Sequence, residues 1–242
     1  MHYRRHFLSR VSFQINFEID SLKRELPESI SSKCTELTGA TKNMLPVFGM
    51  TVIMSKIEST ETSMSYMFQG ERFLVQIQSN MLHISDFKYS THEEFHNVII
   101  QVLQQFNLVF NRPIFSRVAL RYINNINFPE GATFDYANKI NEHLLNATLD
   151  FREFGLTRSI GLMNMKDDNN INVNFTYGFV NSQHPNKIVK REFLLDFDCY
   201  ITVDNENIAD IQPILIELRN KVNVLFDKSI RQELKQIMEP QN

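Results

Sequence analysis

Val11-Ser12-Phe13-Gln14-Ile15-Asn16-Phe17-Glu18-Ile19 alternates apolar and polar side chains without a break. Period two is the spacing of a β-strand, whose successive side chains leave opposite faces, so the stretch specifies a strand with one face on a core and one in water. A slip of one residue would invert every side chain, so its register is tightly specified. Similar runs recur at Phe48 to Ile57, Met64 to Gln69, Phe73 to Gln78 and Met81 to Phe87. Ser59-Thr60-Glu61-Thr62, Gly70-Glu71 and Ser79-Asn80 separate them, turn compositions at hairpin spacing, which predicts an antiparallel meander. Pro27 and Gly39 bracket a short predicted helix, Glu28 to Leu37.

Beyond the meander, Ser90-Thr91 supplies a cap for a helix apolar at Phe95, Val98, Ile99, Val102, Leu103, Phe106, Val109 and Phe110, the i, i+3, i+4, i+7 stripe of one buried face. Pro113 stops it, and Ile114 to Ile126 reads as a strand closed by the turn Phe128-Pro129-Glu130-Gly131. The second half repeats the order. A helix is expected from Thr133 to Leu149, then strands at Leu156 to Met165, Ile171 to Val180 and Val189 to Val203, and a closing helix from Asn207 to Met238 with Pro213 in its first turn. The pattern predicts an α+β fold of two lobes, residues 1–127 and 128–242, each an antiparallel meander followed by a long amphipathic helix, packed as one compact unit.

Composition narrows the classes. Across 242 residues the formal charge is −3, 43% of residues are hydrophobic, and there are only seven Gly and seven Pro, which excludes wholesale disorder and linker or collagen-like chains. So even a balance does not make nucleic acid the favoured partner, although a local basic patch is compatible with it. The most apolar stretch, Val98 to Phe110, is interrupted by Gln101, Gln104, Gln105 and Asn107, so no membrane span is expected. Cys34 and Cys199, far apart and outside any C-x-x-C, suit a reducing cytoplasm.

Three constellations are candidates for chemistry. His92-Glu93-Glu94-Phe95-His96 spells H-E-x-x-H, in which two His one helical turn apart bind zinc and the Glu activates its water. No Asp, Glu, His or Cys occurs from Asn97 to Phe128 to supply a nearby third ligand, and the same residues make an ordinary acidic first helical turn. In the strand Ser116 to Asn125, Arg117 and Arg121 share a face and would grip a phosphate or carboxylate, with Asn124 as a further ligand-binding candidate. Asp196 and Asp198 share a face of Glu192 to Tyr200 and suit a divalent cation or a carboxylate pair; equally, they suit ion pairing with Arg117 and Arg121 if the strands are neighbours. Phosphate-cradling Gly-rich motifs and G-x-S-x-G are missing, so no cofactor is expected.

The run Leu120-Arg121-Tyr122-Ile123-Asn124 resembles the mid-chain strand of a sporadically distributed bacterial family of uncharacterised proteins. Val11 to Ile19, Phe193-Leu194-Leu195-Asp196-Phe197-Asp198 and the closing helix around Leu225-Phe226 and Leu234 extend the resemblance in outline. It implies a shared fold, and the patchy distribution implies a place among anti-phage defence or toxin–antitoxin functions. The expected function is a non-enzymatic cytoplasmic binding or regulatory protein that forms a homo-oligomer or joins a protein complex. A metal-dependent hydrolase or nuclease built on His92/His96 or Asp196/Asp198, and a sensor of nucleotides or nucleic-acid ends built on Arg117/Arg121, are the alternatives.

Overall fold

The computed structural model describes residues 2–3, 7–53, 56–111, 113–128, 134–207 and 211–241. In chain order the elements are β1 (His2–Tyr3), β2 (Leu8–Phe17), α1 (Glu28–Thr38), β3 (Asn43–Ile53), β4 (Lys56–Gln69), β5 (Phe73–Gln78), β6 (Met81–Asp86), α2 (His92–Phe110) and β7 (Ile114–Asn127). They continue with α3 (Asn146–Phe151), β8 (Ser159–Lys166), β9 (Asn172–Phe179), β10 (Glu192–Asn207), α4 (Ile211–Ser229), α5 (Gln232–Ile237) and β11 (Pro240–Gln241). Nine strands form one sheet in the order β3-β4-β5-β6-β2-β7-β10-β9-β8, and β1 pairs separately with β11.

This overturns the expectation of two lobes, each with its own meander and long helix. Periodicity reports which residues are strand and which face is apolar, but not which distant strand supplies the next ladder of hydrogen bonds. Strand β2 lies inside the sheet, between β6 and β7, although β3, β4 and β5 separate it from β6 along the chain. The chain divides into two compact units, one of residues 11–119 and 201–215, the other of 1–10, 120–200 and 216–242. The cuts fall inside β2, β7, β10 and α4 rather than in linkers.

In the unit of residues 11–119 and 201–215, Val11, Phe13, Ile15 and Phe17 are buried as the alternation requires. Each such side chain contributes about 2 kcal/mol by leaving water. The opposite face of β2 is not simply wet, since Ser12 is also buried and its hydroxyl shares a 2.8 Å hydrogen bond with that of Ser85 on β6. β5 and β6 pair from Phe73↔Asp86 to Gln78↔Met81 around the turn Ser79-Asn80, and β6 pairs β2 antiparallel on its other side. Helix α2 buries Phe95, Val98, Ile99, Val102, Leu103 and Phe106, and the Phe106 ring meets that of Phe17 at 5.4 Å. Thr91 caps it by accepting from the Glu94 amide, and Asn111 ends it in the left-handed region at φ 51°. One run is divided differently: Phe48 to Ile57 straddles β3 and β4, and Ser59 to Thr62, expected as a turn, continues β4 opposite β3. Ser and Thr serve a strand as readily as a turn, and β-branched Thr favours the strand.

In the other unit, β8, β9 and β10 are consecutive antiparallel strands. Phe175 and Phe197 stack at 4.6 Å, while Tyr136, Phe179 and Phe193 pack edge-on and tilted, with the Tyr136 hydroxyl donating to the Ile126 carbonyl. The helix expected from Thr133 to Leu149 does not form among the described residues. Asn138 turns the backbone left-handed at φ 61°, Asn141 caps the single 3-10 turn Glu142–Leu144, and only Asn146–Phe151 is α-helical. Asparagine competes with helix by bonding its own neighbouring backbone, and two of them interrupt an apolar spacing that otherwise reads as a helix. The closing helix is likewise two helices. Ile230 leaves the helix to bridge Ile140, and the Arg231 amide donates to the Lys139 carbonyl. Pro213 sits in the first turn of α4, as the sequence requires. Of the turn Phe128 to Gly131, all but Phe128 lies outside the described residues.

Candidate functional site

Strands β7, β10, β9 and β8 occupy one end of the sheet order. Alternation along β8 to β10 divides their side chains into two sets. One set contains Met163, Phe175, Phe197 and Cys199, with Phe226 of α4 against Phe197 at 6.5 Å. The other set holds the polar groups: Asn164 lies opposite Asn174, which lies opposite Asp198, and Thr176 lies opposite Asp196, with the apolar Leu162 on the far side of Thr176.

Arg121 of β7 reaches this polar set. Its Nε and Nη2 donate to the two carboxylate oxygens of Asp196 at 2.8 and 2.6 Å, a bidentate fork between adjacent strands. The hydrogen bonds with Asp196, with burial opposing and the charge of Asp198 adding, lift the Arg121 pKa further above its ordinary value. Asp198 accepts from Asn174 Nδ2 at 3.2 Å, and Asn124 donates from Nδ2 to the Leu195 carbonyl at 3.3 Å. The structure therefore brings together Arg121 with Asp196 and Asn124 with β10. Arg117 belongs to the other unit. Nε and Nη2 of the guanidinium and both oxygens of the Asp196 carboxylate, groups that would receive a ligand, are engaged with one another.

His92 and His96 lie in the first turns of α2 with ring centroids 5.6 Å apart. Burial lowers the His96 pKa, and its buried Nε2 has no protein hydrogen bond. Glu94, the third residue of the H-E-x-x-H run, accepts from Arg72 at 2.6 Å and from Ser90. Among the described residues no group of three or more His, Cys, Asp or Glu converges to hold a metal. A cavity of about 510 Å³ beside α5 is lined by Ile140, Leu145 and Leu149 with Arg231, whose guanidinium is engaged by Glu142 and Asn141.

The feature that sequence reading missed is the open edge at β8. Among the described residues this strand ends the sheet order, and Ile160, Leu162, Met163 and Met165 are all exposed, Leu162 at 63%. These residues come from both faces, and no charged residue occurs from Ser159 to Met165. Gly161 leaves room for the Tyr177 ring, whose Cζ would stand 2.2 Å from a Cβ there. One signal was present in the sequence: Leu162-Met163 breaks the period-two pattern, as a strand without a dry face can. Among the described residues no helix is long and apolar enough to cross a membrane. No family model matches the chain, and no curated protein matches it.

Proposed function

We propose that this protein works by forming complexes, adding a strand from a partner to the free edge at β8. One observation carries the reading: an edge strand without a charge from Ser159 to Met165 exposes apolar side chains on both faces. Proteins ordinarily blunt such edges with charges, prolines or bulges, because unpaired N–H and C=O groups recruit other strands. An edge left apolar is suited to strand addition, in which main-chain hydrogen bonds supply affinity and alternate side chains supply selectivity. The bidentate pairing of Arg121 with Asp196 supports a structural rather than a catalytic use of the polar set beside it. The likeness of Leu120 to Asn124 to the sporadic bacterial family supports reading this assembly among defence-linked functions.

Leu162→Lys tests the reading. The side chain is largely exposed, so the variant is expected to keep its melting temperature while losing assembly in sedimentation velocity and native mass spectrometry. Assembly unchanged in the variant would dismiss β8 as the site.

A further inference from the structure

The hydrogen-bonding direction of β8 follows from its hairpin with β9. At the turn the Asp167 amide donates to the Ile171 carbonyl, and the Ile171 amide is bonded by the Asp167 side chain, which makes 167 and 171 a hydrogen-bonded pair. Such pairs alternate along an antiparallel ladder. Residues 165, 163, 161 and 159 therefore direct their main-chain groups to β9, and a Cβ on Gly178 would meet the Ser159 carbonyl oxygen at 2.1 Å, as that direction requires. Ile160, Leu162, Asn164 and Lys166 direct theirs to the open edge.

Resting on strand addition at β8, we infer that the added strand is β8 of a second copy, antiparallel and centred on Met163. A two-fold axis normal to the sheet must place some residue opposite itself, so two central registers exist. Centring on Leu162 would set Arg158 opposite Lys166 of the other copy, twice over, which is repulsive. Centring on Met163 sets Ser159 opposite Asp167 and brings Arg158 toward Asp168, again twice, while Ile160 meets Lys166 and Leu162 meets Asn164, each pair able to exchange two main-chain hydrogen bonds. Arg158 and Asp168 are both exposed, and Arg158 uses Nε on the Val180 carbonyl, leaving the outer nitrogens for the second copy. Asp167 is already held by Lys221, which fixes the turn that presents Asp168. Met163 lies opposite Met163 as a non-hydrogen-bonded pair, the closest kind, with Cα atoms about 4.5 Å apart.

Single-cysteine cross-linking separates the registers. Cys34 and Cys199 are buried, and burial raises both thiols to about 12, so an introduced surface thiol reacts alone. Under oxidised glutathione, Met163→Cys is expected to give a disulfide-linked dimer, while Leu162→Cys, whose partners would stand about 8 Å apart, stays uncross-linked. The opposite result would overturn the register. Arg158→Asp is expected to weaken the dimer about tenfold and Arg158→Asp with Asp168→Arg to recover it; no recovery would overturn the charge pairing. Sedimentation showing a monomer at every concentration would overturn the second copy while leaving strand addition from another protein standing. That broader reading fails separately, if Leu162→Lys leaves every complex of the protein intact.

Discussion

Two arginine–carboxylate sites, one in each unit, use similar groups to different ends. Arg72 donates through Nε and Nη2 to Asp86, whose side chain is fully buried, and through Nη1 to Glu94. Asp86 also accepts from the Lys88 amide, so one carboxylate ties the end of β6 to the bend before β5, and Arg72 carries the tie to the first turn of α2. Arg121, nearly half exposed, grips Asp196 alone across neighbouring strands. Both acceptors are buried, Asp86 completely and Asp196 nearly so; the first site closes a short loop, while the second joins residues 75 apart in sequence and leaves its arginine the more exposed of the two. Burial of the carboxylate, more than the count of contacts, sets what removal costs, because a stranded donor or charge in a dry site recovers no hydration. Asp86→Ala should accordingly cost about 3 kcal/mol in urea unfolding, with Asp86→Asn recovering part by still accepting from the Lys88 amide. A cost below that of Arg121→Ala would reverse the ranking.

At the second site Arg121→Ala is expected to cost about 2 kcal/mol, since Asp196 is only 8% exposed and loses its bidentate partner. A double-mutant cycle of Arg121→Met and Asp196→Asn isolates the pair, and a coupling near zero would show the fork to be incidental. A ligand-binding role for Arg121 predicts a different signature: binding lost with stability unchanged. Chemical denaturation and a thermal-shift screen with nucleotides, run on the same variant, separate the two.

The contrast also locates what was legible from residues alone. Elements built from near neighbours, such as the Ser79-Asn80 hairpin and α2 with its Thr91 cap, follow directly from local pattern, because turn chemistry and helical spacing act within a few residues. The Arg121–Asp196 pair was foreseeable only as a conditional, since it required knowing that β7 and β10 are neighbours. Sheet order depends on pairing between distant segments, for which period-two patterning holds no address, and hence two lobes were expected where one nine-stranded sheet stands. The helix expected from Thr133 to Leu149 misled for another reason: Phe134, Ala137, Ile140, Leu144 and Leu145 recur at helical spacing, yet from 134 to 145 the backbone runs through successive turns set by Asn138 and Asn141, and only Asn146–Phe151 is α-helical. The open edge at β8 left only the broken alternation at Leu162-Met163 as a trace in the sequence, because a strand's last place in a sheet is a property of all the others.

Smaller effects refine the Arg72 site. Thr91→Ala removes the acceptor of the Glu94 amide and should cost about 1 kcal/mol, with Thr91→Ser or Thr91→Asp close to neutral. Equal losses in all three variants would mean that the Thr91 methyl, not its oxygen, matters.

Glu94 gives the finest test, through acid. The hydrogen bond from Arg72, then that from Ser90, holds its carboxyl well below the ordinary range, at about 2. A carboxyl that binds its proton less readily when folded stabilises the fold at every pH above its unfolded value near 4.5, and that contribution fades as pH falls from about 4.5 to about 2. Since Glu94 is half exposed, solvent screening keeps the contribution small. Glu94→Gln should therefore unfold with a shallower pH dependence in that window and little change at neutral pH, whereas Arg121→Ala should leave the slope contributed by Glu94 intact. If Glu94→Gln leaves the acid limb of the stability curve superimposable on that of the parent, the Arg72 cluster is held by Asp86 alone, and the two arginine sites differ in burial but not in the number of carboxylates they use.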